Sequence, residues 1–523
     1  MSKFNTAATK PAAKSPIVTE RHASGLTHEG APGFARDAKS ELFLLAVANM
    51  VSEDTFYEKA GQRDERYEQL VAQVAVADPD WTGRFLGWLR NEANMRSASL
   101  VGALEAARAL LAAEVPGSRQ LVKSVLRRAD EPGEALAYWT SRYGRAIPKP
   151  VKRGIADAAT VMYDEYNLLK YDTNSKGFRF ADVLDLTHPT PKAPWQGDLF
   201  ACALARRHNR DEPCRESLTT LSANARLRAA ATEDPSVMLD PDALKAAGMT
   251  WEDALSLVGS KVDKAALWSA LIPSMGYMAL LRNLRNFDQA EVPDEIAATV
   301  AARLADPEQV AHSRQFPFRF LAAYRAAPSL RWGHALEKAL TASLANVPEL
   351  PGRTLVLADR SGSMFDTVSA RSGLNRADAA AIFGSALALR NLGRVDLAEF
   401  GQTSALVPVK PGESLLRIVD GRFHNLGGTY TAAAVQRWYA GHDRVIIVTD
   451  EQAMTWGGPP SATDVFAGTV PAHVPCYTWN LAGYQHGHAP SGLGTRHTFG
   501  GLTDAAFRLI PLLESHGSAD WPF

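Results

Sequence analysis

The chain has 523 residues, 46% hydrophobic and 22% charged, which suits a globular protein of two or more domains. Its formal net charge is −1, and acidic and basic residues balance on either side of Pro351, so any nucleic-acid surface must be a local patch. No run approaches the ~18 apolar residues of a membrane span. Three scattered cysteines, Cys202, Cys214 and Cys476, form no CxxC pair; this argues against a zinc site or a disulfide framework and fits a reducing cytoplasm.

Residues 1–20 (MSKFNTAATKPAAKSPIVTE) lack both an apolar run and Arg, and Pro11 and Pro16 would break an amphipathic helix, so they read as a disordered tail rather than a targeting peptide. From about Glu41 to Asn346 apolar residues recur at three- and four-residue spacing, as in Glu41–Val51, Gly83–Met95, Ser99–Val115, Gly154–Leu169, Ala265–Leu284, Asp294–Ala305 and Trp332–Val347. Short polar or Pro/Gly breaks separate these helices. The pattern fits stacked helical pairs, and an irregular bundle equally.

The character changes at Pro348–Gly352. TLVLAD (Thr354–Asp359), VDLAEF (Val395–Phe400), ALVPV (Ala405–Val409), RVIIVTD (Arg444–Asp450) and VPCYTWNLA (Val474–Ala482) read as strands. Helical patterns alternate with them at Arg376–Asn391, in SLLRIVDG and TAAAVQRWYA, and at Asp504–Ser515, which predicts an α/β doubly wound sheet. Two strands end in aspartate, Asp359 and Asp450, and doubly wound sheets bind ligands at strand C-termini. Asp359 opens a DxSxS pattern whose Ser361 and Ser363 can face the same centre. Thr429, after Gly427-Gly428, and Asp450 complete a set of hard oxygens for a divalent metal, Mg2+ above all. DxSxS alone is a weak signal, since a strand end followed by a serine helix cap gives it too. The combination resembles the metal-ion-dependent adhesion site of von Willebrand factor A domains, whose five ligand positions would be Asp359, Ser361, Ser363, Thr429 and Asp450. No nucleophile with a paired base accompanies it; His424 reads as a packing or surface residue, and no enzyme is expected.

The densest basic stretch is Ser141–Gly154, with Arg142, Arg145, Lys149, Lys152 and Arg153 and no acidic residue. Cations at a helix start suit phosphate, although a solvated charged turn has the same composition. Lys170–Pro191 adds Lys170, Lys176, Arg179 and His188 among Tyr171, Phe178 and Phe180, a mixture that suits RNA, or an aromatic core. Smaller clusters hold Arg90 and Arg96, Arg127 and Arg128, Arg282 and Arg285, and Arg314 and Arg319.

FLGWLRNEANMRSAS, KPVKRGIADA, LKYD followed by LDLTHPTP, MALLRNLRNF and SRQFPFRFLAAYRA together resemble the TROVE-domain proteins, the Ro autoantigen family, including its bacterial orthologues. The resemblance implies a tail at 1–20, a TROVE domain of HEAT-like helical repeats at 21–349 forming a monomeric ring, and a von Willebrand factor A-like domain at 350–523. It implies Y-like small RNAs on the outer surface, single-stranded ends of misfolded RNA in a central hole, and an exoribonuclease partner in RNA quality control. By position, Lys152, Arg153, Lys170 and His188 match the family's basic outer segment, Lys176 and Arg179 fall in the intervening loop, and Arg282 and Asn283 match its LLRNL helix. Two other readings compete: an intracellular metal-dependent protein-interaction module, and a magnesium-dependent nuclease or phosphatase.

Overall fold

The computed structural model describes residues 12–48, 51–210, 214–259, 261–369, 372–455, 464–502, 507–515 and 519–523. The chain divides into two compact units, one of Val71–Arg314 with Ala323–Ala339, the other of Met1–Leu70, Gln315–Ala322 and Leu340–Phe523. Among the described residues no helix is long and apolar enough to cross a membrane.

The first unit is helical. Helix starts carry the expected chemistry: Asp78, Asp164, Thr250, Asp263 and Asp306 each accept a backbone N–H of the turn they open. Helices stack on near neighbours, Arg96–Ala112 on Ser118–Val125, the latter on Lys149–Met162, and that on Phe180–Thr187. This nearest-neighbour packing selects stacked helices over a bundle with one shared core. Gly154 is required where two of them meet, because a Cβ there would lie 2.7 Å from the Arg119 carbonyl oxygen. The end of the unit returns to its start: Arg314 donates to the Asn91 carbonyl, and the Asn94 amide donates to the Arg314 carbonyl at 3.1 Å.

Two expected helices are each split. Gly154–Leu169 becomes Lys149–Met162 and Glu165–Tyr171, because Asp164 caps the second helix and Tyr163 turns inward to stack on Phe180 at 3.7 Å. Ala265–Leu284 becomes Lys264–Leu271 and Tyr277–Gln289, with a 3-10 turn at Pro273 between them.

The second unit opens with two-residue strands β1 (Gly25–Leu26) and β2 (Pro32–Gly33), which form a hairpin. Then come β3 (Thr354–Asp359), the small pair β4 (Thr367–Ser369) and β5 (Ser372–Asn375), β6 (Val395–Phe400), β7 (Ser404–Leu406), β8 (Arg444–Thr449), β9 (Cys476–Asn480) and β10 (Arg496–Gly500). The main sheet has the order β10-β9-β8-β3-β6-β7, parallel except for the antiparallel edge strand β7. Helix Thr431–Trp438 sends Ala434 and Val435 into the core with Leu355, Leu357, Val445 and Ile447. On the opposite face helix Arg376–Arg390 packs so closely that a Cβ on Gly384 would meet Leu397 at 2.9 Å. β10 had no sequence signal because its central His497 and Thr498 are polar yet buried. The last predicted helix forms at Leu509–Glu514, and residues 503–506 lie outside the described residues.

Two expectations need correction. Residues 1–11 lie outside the described residues, but 12–20 are not a loose tail: Ile17 is buried, and the Ser15 and Thr19 amides donate to Gly492 and Ser491 carbonyls. Ile17, Phe34 and the apolar helix Ala38–Ala48 have large surfaces to hide, and the sheet-bearing unit covers them. Cys202 and Cys214 are joined in a disulfide, against the expectation from spacing; the return of the chain after helix Pro194–Arg207 brings their Cα atoms to 5.0 Å. Cys476 is buried and free.

Candidate functional site

The chain leaves β3 for β6 on one side and later returns to β8 on the other. The C-terminal ends of β3 and β8 therefore flank the point where strand order reverses. Asp359 ends β3, Asp450 follows β8, and both side chains are fully buried. One Asp359 oxygen accepts the Ser361 amide at 2.8 Å, and the other accepts the Thr449 hydroxyl at 2.5 Å. Asp450 accepts the Ser363 hydroxyl at 2.6 Å and the Gln452 amide at 3.0 Å. The two serine hydroxyls lie 3.3 Å apart. The Gly427–Thr429 loop closes on this group: the Gly362 amide donates to the Gly427 carbonyl at 2.6 Å, and the Met454 amide donates to the Thr429 carbonyl at 2.8 Å.

All five predicted positions are buried and carried by three adjoining loops. Burial, with Asp450 opposite, raises the Asp359 carboxyl well above the carboxylate range. Burial raises Asp450 too, against the hydrogen bonds of Ser363 and Gln452 and the nearby Arg376 charge. Two buried carboxylates with no counter-ion bonded to them among the described residues, beside two serine hydroxyls, make a donor set that fits a divalent cation. When bound, such a cation would neutralise the pair and present its remaining positions to other oxygens. Arg360 is kept out of the site; it donates to the His424 and Ala377 carbonyls and lies over Phe365 and Phe423. His424 is exposed and pairs with buried Glu399 at 2.7 Å.

Sequence reasoning missed Thr449, which was legible as the residue before Asp450.

The basic residues fall into two groups. In helix Lys149–Met162, Val151, Ile155, Ala158 and Ala159 face the core, which turns Lys149, Lys152 and Arg153 outward. None of the three has a carboxylate in ion-pair range among the described residues. Lys170 is exposed, its ammonium 5.3 Å from the Tyr171 ring centre; His188, also exposed, caps helix Phe180–Thr187 at φ 49°. Arg282 is exposed. The other candidates have structural partners. Lys176 lies 3.4 Å from both Asp130 and Glu134. Arg179 pairs with Asp172 at 2.6 Å and its side chain is only 11% exposed. Asn283 is buried and donates to the Ala279 carbonyl at 2.8 Å. Arg90 and Arg96 converge on buried Glu131, which also accepts the amides of Arg127 and Arg128. Phe180, buried against Tyr163, is core rather than a stacking platform.

Residues 244–331 match the family model of the TROVE domain. Over 77 residues the chain is 44% identical to telomerase protein component 1 of Mus musculus and 43% identical to that of Rattus norvegicus. Those stretches cover 14% of this chain and 3% of each relative, so the chain spans only a small part of their length. The crystal structure of the Deinococcus radiodurans RO (RSR) protein aligns with a TM-score of 0.60 and 19% identity, over 91% of this chain and 99% of that one. The resemblance to TROVE-domain proteins is thus borne out, as is the fold class of a helix-rich region followed by a largely parallel sheet. Of the candidate RNA residues, Arg282 and Asn283 lie inside the matched TROVE segment.

Proposed function

We propose that this chain is a non-catalytic RNA-binding scaffold whose helical unit grips phosphate. The observation that carries the reading is the set of outward, unpaired Lys149, Lys152 and Arg153 at the start of one helix. Free cations beside free helix N–H groups cost nothing to redirect toward an anion, unlike Arg90, Arg96 or Arg179, which would have to break buried ion pairs. The TROVE match and the likeness to the RO protein support RNA as the ligand. In its finer form the proposal takes Y-like small RNAs on the outer surface, single-stranded ends of misfolded RNA in a central hole, and cooperation with an exoribonuclease in cytoplasmic RNA quality control. Filter binding of a small structured RNA across a salt series tests it. Affinity should fall steeply with salt, and a flat profile would overturn the proposal.

The buried Asp359–Asp450 pair favours a second activity alongside the first: a Mg2+ site of von Willebrand A type through which a protein partner docks by a carboxylate. Capture of such a partner should be lost in Asp359→Ala while RNA binding persists.

A further inference from the structure

Helix Lys149–Met162 ends against two segments that each carry an exposed ring. A helix leaves its last carbonyls without partners inside the helix, and here side chains supply them. The Gln196 amide donates to the Thr160 and Tyr163 carbonyls at 2.9 and 3.0 Å, and the Asn167 amide donates to the Met162 carbonyl at 2.9 Å. Gln196 is fully buried, and its Oε1 accepts the Lys192 amide at 2.9 Å. The Thr160 hydroxyl also lies 3.4 Å from the Thr190 carbonyl. These bonds fix the loop 190–196 and the start of helix Glu165–Tyr171 against the same helix end.

Each segment presents a ring beside its anchoring amide. Trp195 precedes Gln196 and is 36% exposed; Tyr166 precedes Asn167 and is 47% exposed. Val161, between two of the anchored carbonyls, is 64% exposed. A single exposed apolar residue needs no explanation, but three gathered at one helix end make a patch. Each ring also carries a cation. The Lys192 ammonium lies 5.4 Å from the Trp195 ring centre, and the Lys170 ammonium 5.5 Å from that of Tyr166. Neither lysine has a carboxylate in ion-pair range among the described residues. Carboxylates nearby in the chain are engaged elsewhere: Asp164 accepts the Asn167 backbone amide at 2.7 Å, Glu165 accepts the Leu221 amide at 2.9 Å, and Asp198 lies 3.2 Å from Arg215.

Rings beside unneutralised cations suit unpaired nucleotides, whose bases stack on the rings while the adjoining phosphates take the lysines. The outward cations of the helix lead to this patch. Lys149, Arg153 and Thr160 recur at four- and seven-residue spacing, hence on one face, and Thr160 lies about 10 Å along the axis from Arg153. Asp157, the acidic residue of that helix, is held by two Arg119 nitrogens at 2.7 and 2.8 Å, so its charge is already met.

We propose that Trp195 and Tyr166 are stacking sites for unpaired bases, so that an RNA whose phosphates follow Lys149 and Arg153 lays a single-stranded segment on these rings. This rests on the reading of the helical unit as an RNA-binding scaffold. It adds a preference that phosphate contacts alone do not give, for a junction of duplex and single strand over uniform duplex.

The test uses the full chain and two RNAs, a hairpin with an unpaired uridine tail and the same hairpin with a blunt end, read by fluorescence anisotropy across a salt series. The wild type should bind the tailed hairpin more tightly. Trp195→Ala should weaken that binding about 10-fold and leave the blunt hairpin unchanged. The slope of log affinity against log salt should stay the same, because stacking releases no counter-ions. Trp195→Tyr, which keeps a ring, should restore most of the affinity, and Tyr166→Ala should act as Trp195→Ala does with a smaller effect. If the wild type prefers neither hairpin, or if both alanine variants spare the tailed hairpin or weaken the two hairpins alike, the stacking sites are wrong and the salt-dependent scaffold stands. If the wild type binds neither hairpin with a salt-steep profile, the RNA reading falls and the proposal with it.

Discussion

The proposed cation centre and the basic face of helix Lys149–Met162 use charge in opposite ways. At the centre the two carboxylates are buried, held at strand ends and bonded to neighbouring groups. On the helix Lys149 and Arg153 are exposed and Lys152 half-buried, and none has a carboxylate in ion-pair range among the described residues. Buried like charges persist only where something compensates them, so the first arrangement carries a functional implication in its geometry alone. Exposed cations are ordinary on any surface, and these gain meaning only because nearby arginines are tied up and these are not.

The sharpest way to break the contrast is Glu131→Ala. It strips the buried acceptor from Arg90 and Arg96, and by comparison with other broken buried pairs should cost about 3–5 kcal/mol in thermal unfolding. The salt dependence of RNA binding, measured below the melting temperature, should be unchanged; a shallower slope would mean that those arginines serve RNA after all. Next in size, Asp359→Ala should lower Mn2+ affinity at least about 100-fold by calorimetry, with RNA affinity intact. A loss of both would show the two regions to be coupled.

Replacing Lys149, Lys152 and Arg153 together by alanine should make the slope of log affinity against log salt shallower by about 2–3, as three phosphate contacts release their counter-ions. An unchanged slope would return these residues to the status of a solvated face. The smallest effect concerns the strap of residues 12–20. His497 bonds Ser15 at 2.9 Å, and burial pushes its imidazole down to about 4. A histidine held neutral in the fold contributes stability in full above about pH 6.5, and that contribution is lost as pH falls toward 4. Stability should therefore drop by about 2 kcal/mol at pH 5, seen as a fall in melting temperature that is smaller in His497→Gln.

Much of the proposed cation centre was legible because its signals are local. A strand pattern ending in Asp359, serines two and four residues later, and a second strand ending in Asp450 are all visible without a fold. The basic segment was less so: composition grouped Lys149 with Arg179, yet one faces water and the other pairs with Asp172 in a partly closed loop. Helix breaks at Tyr163 and Pro273 escaped periodicity because each sits inside an unbroken apolar pattern.

The sequence by itself determined the helical and α/β regions and the TROVE resemblance, since these rest on period, strand-end residues and contiguous motifs. It also supplied the five positions proposed to hold a cation, all of which the fold buries. Only the tertiary structure decided that residues 12–48 pack with a sheet that begins at Thr354 and that Cys202 meets Cys214. Those pairings join residues whose local patterns say nothing of each other. Burial of Ile17 and Phe34 and the Arg36–Glu451 ion pair favour the first of these, and both act through space rather than along the chain.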